Sequence, residues 1–513
     1  MKRAILIALS LAFMSSVAMA QGTTSPPVKQ DDKKVETPKV EDKRTPEQKK
    51  YEELMKNPAL KSQDGMFKVH RVDEKIYFEI PENRFGRVFL YQAEIAELPR
   101  ALGFPGTPAG AKTIRIVRKD KKVQIKDLDV STRTEGVDKG TNDGVAMNVI
   151  EPVILAYDIY AEGPNKSVVI DVTSFYNSDP QDFSVRSAIP GAMALDPSKS
   201  GIEKIKAFPN NIEVRMNMTF MMGRGGGGGN PFSGGGGASY SASRAATTVH
   251  YSLVQLPEAP MMGRLKDSRI GFFTTGFTVF GTEERRAMDV EYINRYRLEK
   301  KDPNAALSEP VKPIVYYVAR EVPDKFKESV RLAIEDWRPA FEQAGFKNAI
   351  IGKLAPTKEQ DPDWDPENAN YSVIRWAPSE VANAIGPSVQ DPRSGETISA
   401  HVIIWNNVVD LVEQWYFSQC AATDPSVRKL PLSDEMMSKL VRYVVAHEVG
   451  HTLGLEHNFK ASAAYSVAQL RNPAFTDEFG VASSIMSYSR YNYITQPGDG
   501  VRNRIGMVGP YDK

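Results

Sequence analysis

The sequence predicts an α+β chain in two parts, a β-rich N-terminal domain over residues 46–300 and a mixed α/β domain over 301–513. Three observations lead there. Between about 66 and 285 apolar residues recur at every second position, with little sign of a helical stripe. After 310 they recur at three- and four-residue steps, the period of a helix resting on a sheet. Three of the six histidines fall within eleven positions, in His447-Glu448-Val449-Gly450-His451-Thr452-Leu453-Gly454-Leu455-Glu456-His457. At 513 residues the chain is too long for one ordinary core. Its 41% apolar and 25% charged residues are those of a globular protein. A net charge of +1 gives no reason to expect nucleic acid or an anionic membrane surface as partner.

The first residues read as a leader. Lys2 and Arg3 precede a short apolar run, Ala4 to Met14, and Ala18-Met19-Ala20 is a small-residue cleavage site, so cleavage is expected after Ala20. The mature protein is then secreted or periplasmic. No later run approaches the roughly 18 apolar residues of a membrane span, so no stable membrane insertion is expected after cleavage. Cys420 is the single cysteine, which excludes an internal disulfide; among Trp415, Tyr416 and Phe417 it reads as a small buried residue. Residues 21–45 are rich in Pro, Lys, Asp and Glu with almost no large apolar side chain, the composition of a disordered tether. Residues 46–57 form a short helix with Tyr51, Leu54 and Met55 on one side.

Strands are expected at 67–72, 75–80, 87–93, 113–118, 122–127, 153–161, 167–176, 212–221, 246–256 and 270–280, with Lys119-Asp120-Lys121 as a hairpin turn. So many strands with so little helix point to an antiparallel sandwich or open barrel. The glycine-rich run 223–237 is no phosphate cradle, because no Gly-Lys-Ser/Thr and no helix start follow it; it reads as a flexible hairpin loop. His70 and His250 lie alone in strands, as structural histidines do. The polar stretch 286–310, punctuated by Pro303 and Pro310, marks the boundary near 300.

The second part opens with a strand from Ile314 to Ala319. A helix then starts at Pro323 and carries Phe326, Val330, Ile334, Trp337 and Phe341 as its apolar stripe, with a kink at Pro339 and an end at Gly345. Strands follow at about 349–354, 371–376 and 398–405, the last preceded by the turn Asp391-Pro392-Arg393-Ser394-Gly395. Ser433 caps the next helix, with Asp434 and Glu435 in its first turn. On that helix Leu440, Val444, His447 and His451 share one face, so the histidines continue an apolar stripe that rests on the core.

Two imidazoles one turn apart can hold one Zn²⁺ at about 2.0–2.1 Å. Gly454 lets the chain leave the helix through a left-handed turn and bring back His457 as third ligand. Three protein ligands leave a position for water, the arrangement of a catalytic zinc site, and Glu448 stands next to the first ligand as general base. Asn458 reads equally as a turn residue or as a hydrogen-bonding partner of the last ligand.

The long motif, with Ser484-Ile485-Met486-Ser487-Tyr488 after it, resembles the metzincin zinc metalloproteases. AHEVGHTLGLEHNFKAS and Asp391–Glu396 look like one branch, the large secreted bacterial zinc-dependent metalloproteases with uncharacterised β-rich N-terminal domains; the likeness is close over roughly 310–513. It implies a zinc endopeptidase acting on protein or peptide substrates, with Met486 in the Met-turn below the metal. Tyr488 falls where some metzincins aim a tyrosine at the zinc. The resemblance also implies that Ser399, Ala400, His401, Val402, Ile403 and Ile404 form the sheet edge beside the substrate. Metzincins usually close with a helix after the Met-turn; 489–513 shows no helical stripe, so the sequence reads as stopping inside that domain. A rival reading makes the β-rich part a binding module with the zinc site secondary, and another makes it an inhibitory prodomain.

Overall fold

Alternation becomes pairing in the N-terminal part. In the computed structural model, which describes residues 44–223, 243–281, 286–378 and 383–513, Lys122–Asp127 turns Val123 and Ile125 inward and its lysines outward. The leader, the tether up to residue 43 and the glycine-rich run from 224 lie outside the described residues. The hairpin before this strand closes as expected: Lys119 pairs with Lys122, and Asp120 takes the positive φ of 53° that a two-residue hairpin turn requires.

Twelve strands join one sheet, and its path runs from Leu60–Gln63 through Lys68–Val72, Lys75–Ile80 and on to Asn211–Met222 and Ala192–Leu195, with Gly201–Ala207 also paired to Asn211–Met222. The two sides of the sheet meet where the segment before Lys68–Val72 reaches the turn before Asn211–Met222, Met66 N–H donating to the Phe208 carbonyl at 2.6 Å. The sheet therefore rolls around a single core that includes Phe67, Phe78, Phe89, Ile116, Val214 and Phe220, in line with the open-barrel expectation. Pro46–Met55 is helical and lays Leu54, Tyr51 and Met55 on the outside of the roll.

One expected strand is shorter than its apolar run. The strand over 167–176 stops at Asp171, whose carboxylate accepts the Thr173 N–H at 2.9 Å and starts a helical turn. That turn inserts Phe175 and Tyr176 into the core. His70 and His250 are buried partners of carboxylates. His70 Nε2 lies 2.8 Å from Glu79, and His250 lies 2.8 Å from Glu213 and 3.0 Å from Glu94.

A three-stranded sheet, Thr132–Glu135, Thr274–Gly281 and Met288–Ile293, leads into the second part. There the strand order is Ile350–Leu354, Ile314–Val318, Ser372–Ala377, Glu396–Trp405, then Ala384–Ile385, with Ser388–Asp391 also paired to Glu396–Trp405. The first four are mutually parallel, and the last two are antiparallel to Glu396–Trp405. The helix Asp324–Glu335 and the histidine helix Asp434–Thr452 pack on this sheet and on each other. The first helix breaks after Glu335, as expected, because Pro339 has no N–H to offer, and a second segment, Arg338–Gln343, ends at Gly345 with φ 90°. Thr45–Lys513 forms one compact unit that encloses two large apolar cores, one within 66–253 and the other within 314–508, beside two small clusters. Among the described residues no helix is long and apolar enough to cross a membrane.

The edge expectation is corrected here. Glu396–Trp405 is an interior strand. On one side His401, Val402, Ile403 and Ile404 pair with Val373–Trp376. On the other, Ser399 and Ala400 pair with Val389 and Ser388, His401 N–H donates to the Pro387 carbonyl at 3.0 Å, and Ile403 and Ile404 face Ile385 and Ala384. The turn at Asp391–Glu396 folds the preceding segment back along this strand, so the outermost positions are 384–391.

Candidate metal centre

The histidine helix begins at Ser433, whose hydroxyl accepts the Met436 N–H at 3.2 Å. It buries Leu440, Val441, Val445 and Val449. Trp337 fastens it to the neighbouring helix by donating its indole N–H to the Ala446 carbonyl at 2.9 Å. Gly450 has no room for a side chain, since a Cβ there would collide with Met486 Sδ and the Trp337 ring. Gly450→Ala is therefore expected to destabilise the protein by about 1–3 kcal/mol, read as a lower midpoint of thermal unfolding. An unchanged midpoint would show that this contact is loosely packed.

The histidine helix ends where the chain turns. Gly454 has φ 108°, and its open side is filled by the Asn294 carbonyl and the Phe272 ring. The turn brings His457 back, so that His447, His451 and His457 each offer a donor nitrogen, all within 4.8 Å of one another. His451 Nε2 and His457 Nε2 are 3.1 Å apart, close to the roughly 3.3 Å expected for two donors on one tetrahedral zinc. His447 Nδ1 donates to the Ile485 carbonyl and His451 Nδ1 to the Leu455 carbonyl, each at 2.8 Å. Those bonds turn both Nε2 atoms toward the shared centre. Burial and the neighbouring imidazoles hold His447 down at about 3, and burial lowers His451 and His457, so the rings are neutral as metal ligands must be. The donor set fits a zinc ion.

Glu448 is buried beside this centre, and burial pushes its carboxyl up to about 8. The Tyr488 ring stands 4.3 Å from His457 and 5.8 Å from His447, half exposed. Met486 is fully buried; its carbonyl accepts the Asn458 N–H at 3.0 Å. The Asn458 side chain caps the next turn by accepting from Ala461 N–H at 3.2 Å, which makes it a turn residue here. Asp512 holds the Met486 segment from below, accepting from Ser484 Oγ at 2.5 Å and from Ile485 N–H at 2.8 Å. A cavity of about 220 Å³ opens beside His447 and Glu448, with Val408, Val412, Trp415 and Tyr443 in its walls.

Several neighbours of the centre have no signal in the sequence. Phe459 stacks on His457 at 5.7 Å. Phe273, from the N-terminal part, lies 5.9 Å from His451. Its N–H donates to the Gly454 carbonyl at 2.8 Å, and Glu456 N–H donates to the Gly271 carbonyl at 3.1 Å. The residues between the second and third histidines are thus bonded to a segment more than 180 positions upstream, a pairing that no local pattern could announce. Ser399–Ile404 lie away from this cluster, in the sheet interior; Ser399 and His401 instead line a second cavity.

Three family models match separate stretches of the chain. Residues 48–98 match a domain of unknown function (DUF5118), 106–301 match another (DUF5117), and 429–513 match the family described as Met-zincin. No curated protein and no solved structure matches. The C-terminal stretch that gathers the three histidines is thus the part similar to the Met-zincin family, and it follows a β-rich region whose two matching families carry no assigned function.

Proposed function

We propose that this protein is an exported, zinc-dependent endopeptidase. The observation that carries the reading is the meeting of three neutral imidazoles with a buried carboxyl, Glu448, in the segment that matches Met-zincin. His447, His451 and His457 hold the zinc, which when bound lowers the pKa of a water toward about 7 and polarises the scissile carbonyl.

Glu448 accepts a proton from the attacking water and delivers it to the leaving amine; a carboxyl raised by burial suits both halves of that task near neutral pH. Tyr488, its hydroxyl kept protonated by burial and by the nearby Glu448 carboxylate, donates a hydrogen bond to the developing oxyanion. Met486 forms the floor beneath the ligands, as in a Met-turn. The outer edge at 384–391 offers backbone N–H and C=O groups to an extended peptide, and the 220 Å³ cavity receives the side chain just beyond the scissile bond.

The test is cleavage of a random peptide library with and without a chelator; equal cleavage in both would overturn the zinc reading. Metal analysis of the purified protein is expected to give about one zinc per chain. His457→Ala is expected to bring that well below one, because two imidazoles remain for a site built from three. Full zinc occupancy in the variant would remove His457 from the ligand set.

A further inference from the structure

The strand Ala384–Ile385 and its continuation Ser388–Asp391 connect two features. At one end Gly386 lies against the backbone of Glu448, so close that a Cβ there would sit 2.7 Å from the Glu448 carbonyl oxygen. At the other end Pro387–Gln390 and Pro392 line a cavity of about 480 Å³. Its opposite wall is the rolled sheet of the N-terminal part, with Gln92, Ala111, His250 and Ser252. Phe273, beside His451, and Thr275, in the cavity lining, come from one short stretch of chain. Two short chain segments, 384–390 and 273–275, thus run between the cavity lining and the residues beside the metal centre.

On its outer side, among the described residues, no strand pairs with 384–391. An added chain pairs most often antiparallel. A chain laid antiparallel to 384–391 enters at Gln390 and arrives at Gly386, so the part in the cavity precedes, in its own sequence, the part at the metal. From Pro387 to Gln390 an extended strand covers about 10 Å, which places the cavity about three to five residues upstream of the reacting bond. The charges in the wall are satisfied within the protein, His250 by Glu94 and Glu213, and Glu367 by Arg215. What remains for an occupant is amide, hydroxyl and backbone chemistry together with the unpartnered Nε2 of His401, which suits an extended, polar, uncharged stretch of polypeptide.

We infer that the N-terminal β-sheet forms one wall of the substrate channel, and that the 480 Å³ cavity binds a neutral polar segment of the substrate on the amino-terminal side of the scissile bond. This rests on the endopeptidase reading above. It makes the β-rich region a determinant of specificity. It also predicts that substrates are extended chains with several residues before the cleavage point.

The test compares two fluorogenic peptides that share one central sequence, the library's cleavage site where the library yields one and a fixed apolar pair otherwise, one with about two residues before it and one with about six, the added ones Ser, Gln and Thr. The full-length zinc protein is expected to cleave the longer peptide with kcat/KM about tenfold higher, because binding away from the reacting bond contributes to catalysis. Ala111→Trp places a large ring in the cavity from an exposed position and is expected to bring the ratio of the two values close to one. Unfolding is checked by the melting temperature of the variant. Equal kcat/KM for both peptides, or a ratio unmoved by Ala111→Trp, overturns the channel while leaving the peptidase reading in place. Binding of the longer peptide to zinc-loaded Glu448→Gln, followed by fluorescence anisotropy, separates the remaining outcomes. Binding that Ala111→Trp weakens, with no cleavage by the native protein, removes the peptidase reading and keeps the channel. Neither binding nor cleavage removes both.

Discussion

Glu448→Gln is expected to keep its zinc and lose about 10²–10⁴ in kcat, the range associated with a positioned general base. That corresponds to about 3–5 kcal/mol of barrier. The amide is close to isosteric with the carboxyl, so the buried pocket stays filled and the three imidazoles keep their places. Only the ability to take and return a proton is removed. Two measurements read the result together, zinc per chain by metal analysis and turnover of a library-derived peptide. Retained zinc with unchanged turnover would deny Glu448 its role. Loss of zinc along with turnover would mean that the carboxyl supports the ligands and that the kinetic loss says nothing about proton transfer.

The second large effect concerns the N-terminal part. A fragment of residues 300–513 is expected to fail to fold cooperatively and to bind less than one zinc per chain. Phe272, Tyr296 and Leu298 pack against the second core and would all be missing. A large apolar side chain contributes about 1.5–3 kcal/mol when fully buried. Half of that over three residues is already a sizeable part of the roughly 5–15 kcal/mol that holds a domain together. The fragment also loses the bonds from 271–273 to 454–456, on the loop between His451 and His457. Residues 365–370 lose Lys204, Lys206 and Arg215, which hold the buried Asp365 and Glu367, and the Asn211 amide oxygen, to which Asn370 donates at 2.6 Å. Circular dichroism with heating reads the outcome. A sharp transition and chelator-sensitive cleavage by the fragment would overturn it and favour a removable inhibitory segment.

These two predictions differ in how far the sequence could have led to them. Glu448 is legible from its place in the motif. The dependence on 271–273 is not, because Gly271, Phe272 and Phe273 look like the start of the strand that begins at Thr274. Their bonds to Gly454 and Glu456 exist only once two distant segments meet. The helix Val408–Cys420 was open to reading, since Val408, Val412, Tyr416 and Cys420 are buried at four-residue steps, but its aromatic cluster conceals the period. The short strands Thr132–Glu135 and Ala192–Leu195 had no such signal: the first holds no apolar residue, and the second is barely buried.

By itself the sequence determined the local geometry. The four-residue spacing of His447 and His451, the left-handed exit at Gly454, the cap at Ser433, the break at Pro339 and the turn at Asp120 all follow from backbone preferences acting over a few residues. Only the tertiary structure decided which arm of the hairpin around Asp391–Glu396 lies outermost, and that the segment 271–273 reaches the metal centre, with Phe273 beside His451. The reason is physical. Strand order and contacts between distant segments depend on which surfaces bury each other most completely, and period-two alternation reads the same for an edge strand as for an interior one.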